Sequence, residues 1–223
     1  MMSRKLEIQE TQDGSNTLYL PDMDEHYHSV KGALTESRHI FIDMGLRHCE
    51  IRNPKVLEIG FGTGLNAFLT LLEAEETQRS VHYTTLELYP LDMDMIRQLG
   101  YPSEIDELHA SWYYALHEAK WNGTVSVTPH FQLLKQQADY TAFPFSELYD
   151  VIYFDAFAPE KQPEMWSQEL FDRLYAHTAP GGILTTYCAK GVVRRMLQSA
   201  GYQVERLAGP PGGKREILRA IRL

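Results

Sequence analysis

A glycine-rich segment follows a short apolar stretch near residue 60. Gly60, Gly62 and Gly64 alternate with other residues, and Glu58 stands two positions ahead of the first glycine. Glycines at a turn from a strand into a helix let the backbone turn tightly and approach a ligand closely. A dinucleotide fingerprint, G-x-G-x-x-G, would need its third glycine at position 65, which is Leu65. The spacing therefore disfavours a dinucleotide site and indicates a different small ligand.

Three acidic residues stand where further predicted strands end. Ligands of a doubly wound sheet bind beyond the carboxyl ends of its strands, so these positions are candidates for a site. Glu87 is placed to accept hydrogen bonds from ribose hydroxyls, and Asp139 to reach the amino group of an adenine. Asp155 follows four apolar or aromatic residues, where an ionised carboxylate is costly without a partner. Each of the three is also compatible with a solvated acid that caps a loop.

From position 55 onward, strand-like and helix-like segments alternate. This alternation predicts an α/β fold in which a mostly parallel, doubly wound sheet is covered by helices on both faces. Residues 101–130 are the least regular part, and their aromatic residues and glycine suggest a helix and a hairpin. The predicted strands are 55–59, 81–87, 131–135, 149–154, 182–187, 203–207 and 216–221, and the predicted helices are 65–74, 91–99, 163–177 and 192–200.

The first fifty residues predict a small N-terminal extension. Apolar and polar residues alternate before the turn pair Asp13-Gly14, and a second apolar stretch follows it, which predicts a hairpin. Thr35 is a candidate N-cap of the helix that comes next. We therefore expect a hairpin and helix extension over 1–50 and the α/β domain over 51–223.

The charge of the chain is uneven. The net charge is −9, yet residues 188–223 hold eight basic residues against two acids, a net charge of +6 that leaves −15 for the remainder. A phosphate-binding face would have this asymmetry, and so would a solvated basic helix beside a basic edge strand. Charge alone does not decide between the two interpretations.

The remaining composition argues against several classes of protein. No apolar run approaches the roughly 18–20 residues that span a bilayer, and the N-terminal residues lack the apolar core of a signal peptide. Cys49 and Cys188 form no disulfide framework, and the cysteines and histidines show no metal-ligand spacing. We expect a cytoplasmic protein with no membrane partner and no metal.

The pattern E-x-G-x-G-x-G from Glu58 to Gly64 resembles the first motif of S-adenosylmethionine-dependent methyltransferases. The resemblance implies a Rossmann-like class I methyltransferase fold with S-adenosyl-L-methionine as the cofactor. Methyl transfer from a sulfonium is an in-line displacement, so the protein mainly positions two reactants and removes water.

An amine acceptor would add a requirement, because only its neutral form has a lone pair for attack. Its pKa, near that of lysine at about 10.4, leaves a primary amine mostly protonated at neutral pH. We expect Asp155 to orient the N–H groups and guide the leaving proton to solvent. Since a carboxylate by itself raises the pKa of an amine, a desolvating wall is also needed. Phe157, Pro159 and Trp166 are candidates for that wall, and they are equally compatible with the core.

A second resemblance is more specific. Residues 155–166, D-A-F-A-P-E-K-Q-P-E-M-W, closely resemble the loop after the fourth strand in the MnmC/MnmD methyltransferase family. The likeness covers nearly the whole chain from about residue 25, although the loop 209–213, G-P-P-G-G, departs from the family. The other matching segments are 26–29, 32–38, 58–66, 190–195 and 212–218.

The family methylates the aminomethyl group on wobble uridines of bacterial tRNAs, which completes 5-methylaminomethyl(-2-thio)uridine. The resemblance implies this activity, with tRNA as the partner. In many organisms the domain is fused to a flavin oxidoreductase that first removes a carboxymethyl group; here we expect that upstream enzyme on another chain. Carried over by position, the cofactor residues are Glu58, Gly60, Gly62, Gly64, Asn66, Glu87 and Asp139, the catalytic residues are Asp155 and Phe157, and the substrate-binding residues are Lys190, Arg194, Lys214 and Arg215.

The residues leave three alternatives open. A polyamine synthase-like aminopropyltransferase would share the fold and an acid after the fourth strand, although the basic C-terminal segment argues against it. A small-molecule amine methyltransferase would make that basic segment incidental. A non-catalytic module that keeps the pocket as a scaffold is a third alternative, which the intact glycine turn, Glu87 and Asp155 disfavour.

Overall fold

The computed structural model describes residues 5–223, so the first four residues of the predicted extension lie outside the described part. Its strands are β1 (Glu7–Glu10), β2 (Asn16–Leu20), β3 (Glu25–His26), β4 (Lys55–Ile59), β5 (Val81–Glu87), β6 (Gly123–Thr128), β7 (Phe131–Gln137), β8 (Tyr149–Phe154), β9 (Thr178–Thr186), β10 (Gln203–Ala208) and β11 (Glu216–Ile221). Its α-helices are α1 (Ala33–Ser37), α2 (Leu65–Thr77), α3 (Met93–Leu99), α4 (Tyr101–Ile105), α5 (Ala110–Glu118), α6 (Gln168–Ala176) and α7 (Gly191–Ala200). A π-helical segment, Arg38–Asp43, follows α1, and short 3₁₀ turns occur at Leu46–His48, Glu107–His109, Tyr140–Ala142 and Pro163–Met165.

Eight strands form the central sheet, in the order β10-β11-β9-β8-β4-β5-β7-β6. The five strands from β9 to β7 run parallel, whereas β6 at one edge and the β10–β11 pair at the other are antiparallel. The chain leaves β4 toward β5 and β7 and then returns to β8 on the opposite side of β4. The strand order therefore reverses between β4 and β8, which is where open α/β sheets bind ligands. The predicted doubly wound α/β fold is confirmed.

The inner strands are apolar on both faces because helices cover the sheet on both sides. Alternate residues of a strand point to opposite faces. Val56 and Val151 belong to a core cluster that includes residues of α2, α5 and the N-terminal extension. Leu57 and Ile152 belong to a second cluster that includes residues of α6 and α7. All four side chains are fully buried, so the sheet gives the strand ends a rigid base.

The N-terminal extension is a three-stranded antiparallel sheet followed by α1. The predicted hairpin is present, because β1 pairs with β2, and β3 adds a further strand to β2. Leu18 of the extension and Phe41 after α1 are buried in the same core cluster as Val56. The division of the chain at residue 50 stays a prediction, and the two proposed units share this core.

Thr35 is not the N-cap that the sequence predicts. The helix begins at Ala33 with Gly32 as its N-cap, and Thr35 lies inside its first turn. The backbone N–H and the hydroxyl of Thr35 donate to Asp13 Oδ2, over 2.9 and 2.7 Å. A side chain from the hairpin turn therefore supplies the acceptor that a local cap would have provided.

Three other predicted segments differ from the structure. The predicted helix 163–177 is a 3₁₀ turn and then α6, because the Ser167 side chain accepts from Leu170 N and starts a new helix there. The predicted strand 182–187 begins four residues earlier, at Thr178. The irregular segment 101–130 contains α4, α5 and the edge strand β6, which pairs with β7 within the central sheet.

Candidate active site

A cavity of about 330 Å³ opens beyond the carboxyl ends of β4, β5, β7 and β8. Its wall consists of the turn after β4, the residues that follow β5 and β7, the loop after β8, and residues around β3 in the N-terminal extension. The volume lies within the range of small-molecule sites in proteins, and the position is the switch point of the sheet.

The charged residues on this wall are acids. Glu87, Asp139, Asp155 and Glu164 line the cavity, and no lysine or arginine does so among residues 5–223. His28 also lines it, but burial lowers the pKa of the His28 imidazole to about 4, so the ring is neutral at pH 7. An acidic wall favours a cationic ligand and disfavours a phosphate.

The backbone of the glycine turn passes close to its neighbours. Gly60 has φ +94°, and a Cβ there would lie 3.0 Å from the carbonyl oxygen of Asp155; Gly62 has φ +48°, and a Cβ there would lie 3.0 Å from the Tyr27 ring. L-residues rarely adopt such φ values, and side chains would fill the space next to the cavity. Gly64 does not line the cavity; it caps α2, where a Cβ would meet His117 at 2.5 Å.

Thr63 ties the turn to two other elements. Its carbonyl oxygen accepts hydrogen bonds from Tyr113 Oη at 2.9 Å and His117 Nε2 at 3.1 Å, both on α5. Its hydroxyl lies 2.8 Å from His28 Nε2 in the N-terminal extension. Burial lowers the pKa of His117 to about 3, so the ring stays neutral in this contact. These contacts join elements far apart in sequence, and no local sequence pattern indicates them.

Glu87 and Asp139 lie on the part of the wall formed by β5 and β7. Glu87 accepts hydrogen bonds from the backbone N–H groups of Gly62 at 3.0 Å and Tyr89 at 2.8 Å, one on each oxygen. A carboxylate has about four acceptor sites, so Glu87 keeps capacity for two hydroxyls of a ligand. Asp139 is exposed, and its Oδ1 accepts from the backbone N–H and the hydroxyl of Thr141. Both predicted acids therefore line the cavity with acceptor capacity in reserve.

Asp155 directly follows β8 and stands beside the glycine turn. Its backbone N–H donates to the carbonyl oxygen of Ile59 at 3.1 Å, and Asn66 Nδ2 donates to its Oδ2 at 2.8 Å. Burial raises the pKa of the Asp155 carboxyl to about 7, although the hydrogen bond from Asn66 lowers it. At neutral pH this group is therefore poised between its acid and carboxylate forms.

Glu58 differs from the role that the resemblance implies. The side chain is fully buried and does not line the cavity. The Thr85 hydroxyl donates to its Oε2 at 2.7 Å, and burial raises the pKa of the carboxyl to about 8. Glu58 thus lies behind the cavity wall, next to the Asn66 side chain, and its cofactor role stays a prediction.

Phe157 and Trp166 have different environments within the loop after β8. Phe157 lines the cavity, and its ring meets that of Tyr27 edge-on with centroids 5.1 Å apart. Trp166 is buried against Phe154, and its Nε1–H donates to the Phe157 carbonyl oxygen at 2.8 Å. Phe157 is therefore a wall residue, whereas Trp166 belongs to the core and holds the loop in place. Pro159 is not among the lining residues.

None of the four predicted substrate-binding cations lines the cavity. Lys214 forms an ion pair with the buried Glu36 at 2.7 Å and lies 4.2 Å from the centroid of the Tyr187 ring. Lys190 pairs with Glu160. Arg194 and Arg215 make no side-chain hydrogen bond or ion pair with the described residues.

Most basic side chains of residues 188–223 already have partners within the molecule, although a net positive charge remains. Three further arginines of this segment are engaged: Arg206 with Glu216, Arg219 with Glu205, and Arg222 with backbone carbonyls. In the described chain, the basic residues of this segment that remain unpaired are Arg194, Arg195 and Arg215. These three arginines therefore remain the candidates for contact with phosphate.

The wall fits S-adenosyl-L-methionine better than a dinucleotide. Glu87 has acceptor capacity for two ribose hydroxyls, and the positive φ values of Gly60 and Gly62 leave room for a ligand against the backbone. Asp155 provides negative charge beside the turn, where a sulfonium or ammonium group is favoured. No basic side chain among the described lining residues could balance a pyrophosphate.

Comparisons of sequence agree with this geometry. Residues 107–222 match a family model described as S-adenosyl-L-methionine-dependent methyltransferase. The chain is also 34% identical, over 214 residues, to the tRNA 5-methylaminomethyl-2-thiouridine biosynthesis bifunctional protein MnmC of Pseudomonas fluorescens. The match covers 88% of the chain and 32% of that protein, so the chain spans about a third of the length of this curated relative.

Solved structures show the same fold. MNMC2 from Aquifex aeolicus superposes with a TM-score of 0.74 at 23% identity, covering 98% of this chain and 71% of that one. Spermidine synthase from Thermotoga maritima superposes with a TM-score of 0.61 at 15% identity, covering 98% and 69%. At these identities the likeness concerns the fold alone. None of the helices within residues 5–223 is long and apolar enough to cross a membrane.

Proposed function

Because this chain belongs to the S-adenosyl-L-methionine-dependent methyltransferase family, in its MnmC/MnmD-like branch, we propose that it methylates the aminomethyl group of 5-aminomethyl(-2-thio)uridine at the wobble position of tRNA. The product would be 5-methylaminomethyl(-2-thio)uridine. The observation that carries this proposal is the acidic cavity wall, with Asp155 beside the glycine turn, which suits a cationic methyl donor and an amine acceptor.

The residues that line the cavity support an assignment of contacts with the cofactor. We assign the ribose hydroxyls to Glu87, the adenine amino group to Asp139, and the amino-acid tail to the backbone around Gly60 and Gly62. S-adenosyl-L-methionine, when bound, supplies the methyl group on its sulfonium. Neither Glu58 nor Gly64 lines the cavity, so we assign no direct contact with the cofactor to them.

We assign to Asp155 the removal of a proton from the acceptor amine. In the carboxylate form it accepts a hydrogen bond and then a proton from the aminomethyl ammonium, which leaves a neutral amine with a free lone pair. Its raised pKa, about 7, brings its proton affinity closer to that of an amine than an exposed aspartate would be. After transfer the secondary amine carries the product charge, and Asp155 releases its proton to solvent through the open cavity.

Phe157 and Tyr27 form the apolar side of the acceptor region. Both rings line the cavity and meet edge-on, so they displace water from the space next to Asp155. A desolvated environment disfavours the charged ammonium and lowers the pKa of the acceptor amine. The wall and the carboxylate therefore act together: one favours deprotonation, and the other accepts the proton.

The tRNA backbone would meet the unpaired arginines. Arg194 and Arg195 are on α7, which begins just after β9, and Arg215 is in the loop before β11. By the topology of the sheet, the end of β9 and the start of antiparallel β11 lie at the edge where the cavity opens. Lys190 and Lys214 form ion pairs with acids, so we assign them to positioning the surrounding loops and not to contacting phosphate.

The test is methyl incorporation from labelled S-adenosyl-L-methionine into bulk tRNA from cells that lack this gene, followed by mass spectrometry of the nucleosides. Conversion of aminomethyluridine to methylaminomethyluridine supports the proposal. Absence of label in tRNA, with cofactor binding intact, contradicts it. The proposal also places the protein in the cytoplasm, with the enzyme that supplies the aminomethyl group on another chain.

An aminopropyltransferase is the second candidate, because four acids on the wall also suit a polyamine. The same assay separates the two. In the second arm of the assay, putrescine takes the place of tRNA and decarboxylated S-adenosyl-L-methionine takes the place of S-adenosyl-L-methionine. The product amines are then measured. Formation of spermidine at a rate above that of tRNA methylation would favour this second candidate.

A further inference from the structure

A tyrosine that does not line the cavity holds the loop after β8. Tyr187 directly follows β9, which runs parallel to β8 with Tyr153 opposite Thr185. When this register is continued by two residues, Tyr187 lies opposite Asp155. The Tyr187 side chain is partly buried, and its hydroxyl donates a hydrogen bond to the carbonyl oxygen of Ala156 at 2.8 Å. Since Tyr187 is not a lining residue, it contacts the site through the backbone of this loop.

Three hydrogen bonds fix the backbone where the loop begins. The backbone N–H of Asp155 donates to the end of β4 at 3.1 Å. The carbonyl oxygens of the next two residues both accept from aromatic side chains: that of Ala156 from Tyr187, and that of Phe157 from Trp166 Nε1 at 2.8 Å. Asp155 and Phe157, which we assign to proton removal and to the exclusion of water, therefore flank the carbonyl group that Tyr187 holds.

The ring of Tyr187 is itself held by a cation. Lys214 Nζ lies 4.2 Å from the centroid of this ring and 2.7 Å from the buried carboxylate of Glu36. The face of an aromatic ring attracts a cation, so the ammonium is fixed between the ring and the acid. Burial raises the pKa of the Tyr187 hydroxyl, and the charge of Asp155 raises it further, so the hydroxyl keeps its proton and remains a donor at neutral pH.

We propose that Tyr187 is a positioning residue for methyl transfer, which holds Asp155 and Phe157 in place against the acceptor amine. The Lys214 ammonium holds Tyr187 in turn. This inference rests on the proposed function of Asp155. Arg215, one of the proposed phosphate contacts, follows Lys214 in the chain. The loop that would meet tRNA and the loop that carries Asp155 are therefore joined through this tyrosine.

Hydrogen exchange of the whole protein, read by mass spectrometry, tests the positioning without an acceptor. Tyr187→Phe keeps the ring and removes the hydroxyl, so backbone exchange in the segment 155–162 should rise about fivefold or more. Tyr202→Phe is the matched control, because it removes a buried hydroxyl that lies 2.6 Å from the Thr178 hydroxyl and does not line the cavity. In this control the segment should exchange as in wild type.

Unchanged exchange of this segment in Tyr187→Phe, or an equal rise in the two variants, would overturn the proposal. The measurement needs no tRNA, so its failure is separate from a failure of the tRNA proposal.

The kinetics of methyl transfer test whether this position matters for the reaction. A small misplacement of a reacting group is costly, so Tyr187→Phe should lose about tenfold or more in kcat. The Kd for S-adenosyl-L-methionine should change little, and Tyr202→Phe should keep the kcat of wild type. A wild-type kcat in Tyr187→Phe would contradict a positioning role, whatever its hydrogen exchange.

Lys214→Met tests the second step. If the ammonium acts by holding Tyr187, the variant should lower kcat, and the double variant with Tyr187→Phe should lose little more than the larger of the two single losses. The losses of independent residues would instead multiply. Multiplied losses, or a raised KM for tRNA at an unchanged kcat in Lys214→Met, would contradict this step.

Discussion

The ammonium of Lys214 lies 2.7 Å from the carboxylate of Glu36, a residue 178 positions earlier in the chain. Glu36 is buried, and its other oxygen accepts the backbone N–H of Ser29. The pair joins the loop before β11 to the N-terminal extension, next to Tyr187 and the loop after β8. Lys214, which the family resemblance assigns to substrate binding, thus forms an ion pair within the protein.

Replacing Lys214 by Met is therefore expected to lower stability. The change leaves the Glu36 carboxylate buried without its cation, at a cost of about 1–3 kcal/mol, since Lys214 itself is partly exposed. Arg215→Ala is the matched control and should stay within about 0.5 kcal/mol of wild type, because Arg215 has no partner among the described residues. Urea unfolding measures both, and equal stabilities of the two variants would refute the structural role of Lys214.

Asp155→Asn is expected to abolish most methyl transfer. The variant keeps the shape of the side chain and removes the proton acceptor, so kcat should fall by about 10²–10⁴. The Kd for S-adenosyl-L-methionine, measured by calorimetry, should change by only a few fold. Turnover close to wild type would remove Asp155 from the proton-transfer step.

The rate of methyl transfer is expected to fall below neutral pH. Asp155 accepts a proton only as a carboxylate, and its pKa is raised to about 7, so the active form is lost as the pH drops through 7. Dividing the wild-type activity by the Asp155→Asn activity cancels the titration of the acceptor amine itself. This ratio should decrease about tenfold per pH unit below 7. A ratio that is constant between pH 5.5 and 8.5 would contradict this role.

Glu58 makes a prediction about stability against pH. Its folded-state pKa, about 8, lies above the ordinary value of 4.5, so the folded protein binds the proton more tightly than the unfolded chain. This contribution is complete below pH 4.5 and is lost as the pH rises toward 8. Relative to Glu58→Gln, wild type should lose stability with a slope of at most about 1.4 kcal/mol per pH unit. Parallel stability curves for the two proteins would argue against this pKa.

Gly60→Ala is expected to weaken cofactor binding at least tenfold. The new Cβ would lie 3.0 Å from the Asp155 carbonyl oxygen at a φ of +94°, so the turn must shift. Gly212→Ala is the matched control, since its φ is +71° and nothing lies within 4 Å of the added Cβ. Both variants carry the backbone cost of about 1 kcal/mol, but only Gly60→Ala should raise the Kd. An unchanged Kd in Gly60→Ala would separate the turn from the cofactor site.

The fold and the acids of the site could be predicted because their signals are local. Strand–helix alternation defines the sheet, and residues at or just beyond the ends of its strands lie at the binding edge, which places Glu87, Asp139 and Asp155 on the wall. The predicted ribose, adenine and proton-transfer roles stay proposals.

The contacts that the sequence did not predict are long-range. The hydrogen bonds of Thr63 reach His28, Tyr113 and His117, which lie 35 to 54 residues away. Lys214 meets Glu36 across 178 residues. Pairings of this kind depend on how the elements pack, and hydrophobic periodicity carries no information about them. The sequence also does not distinguish a core position from a cavity-wall position for Trp166, since the two have the same local pattern.

A defined RNA tests the central claim most directly. Two anticodon stem-loops would be compared, identical except that one carries 5-aminomethyluridine and the other uridine at the wobble position, each incubated with this protein and S-adenosyl-L-methionine. We predict a mass increase of one methyl group on the aminomethyl RNA alone, and its loss in Asp155→Asn. No methylation of the aminomethyl RNA by a protein that binds S-adenosyl-L-methionine, or equal methylation of both RNAs, would contradict it.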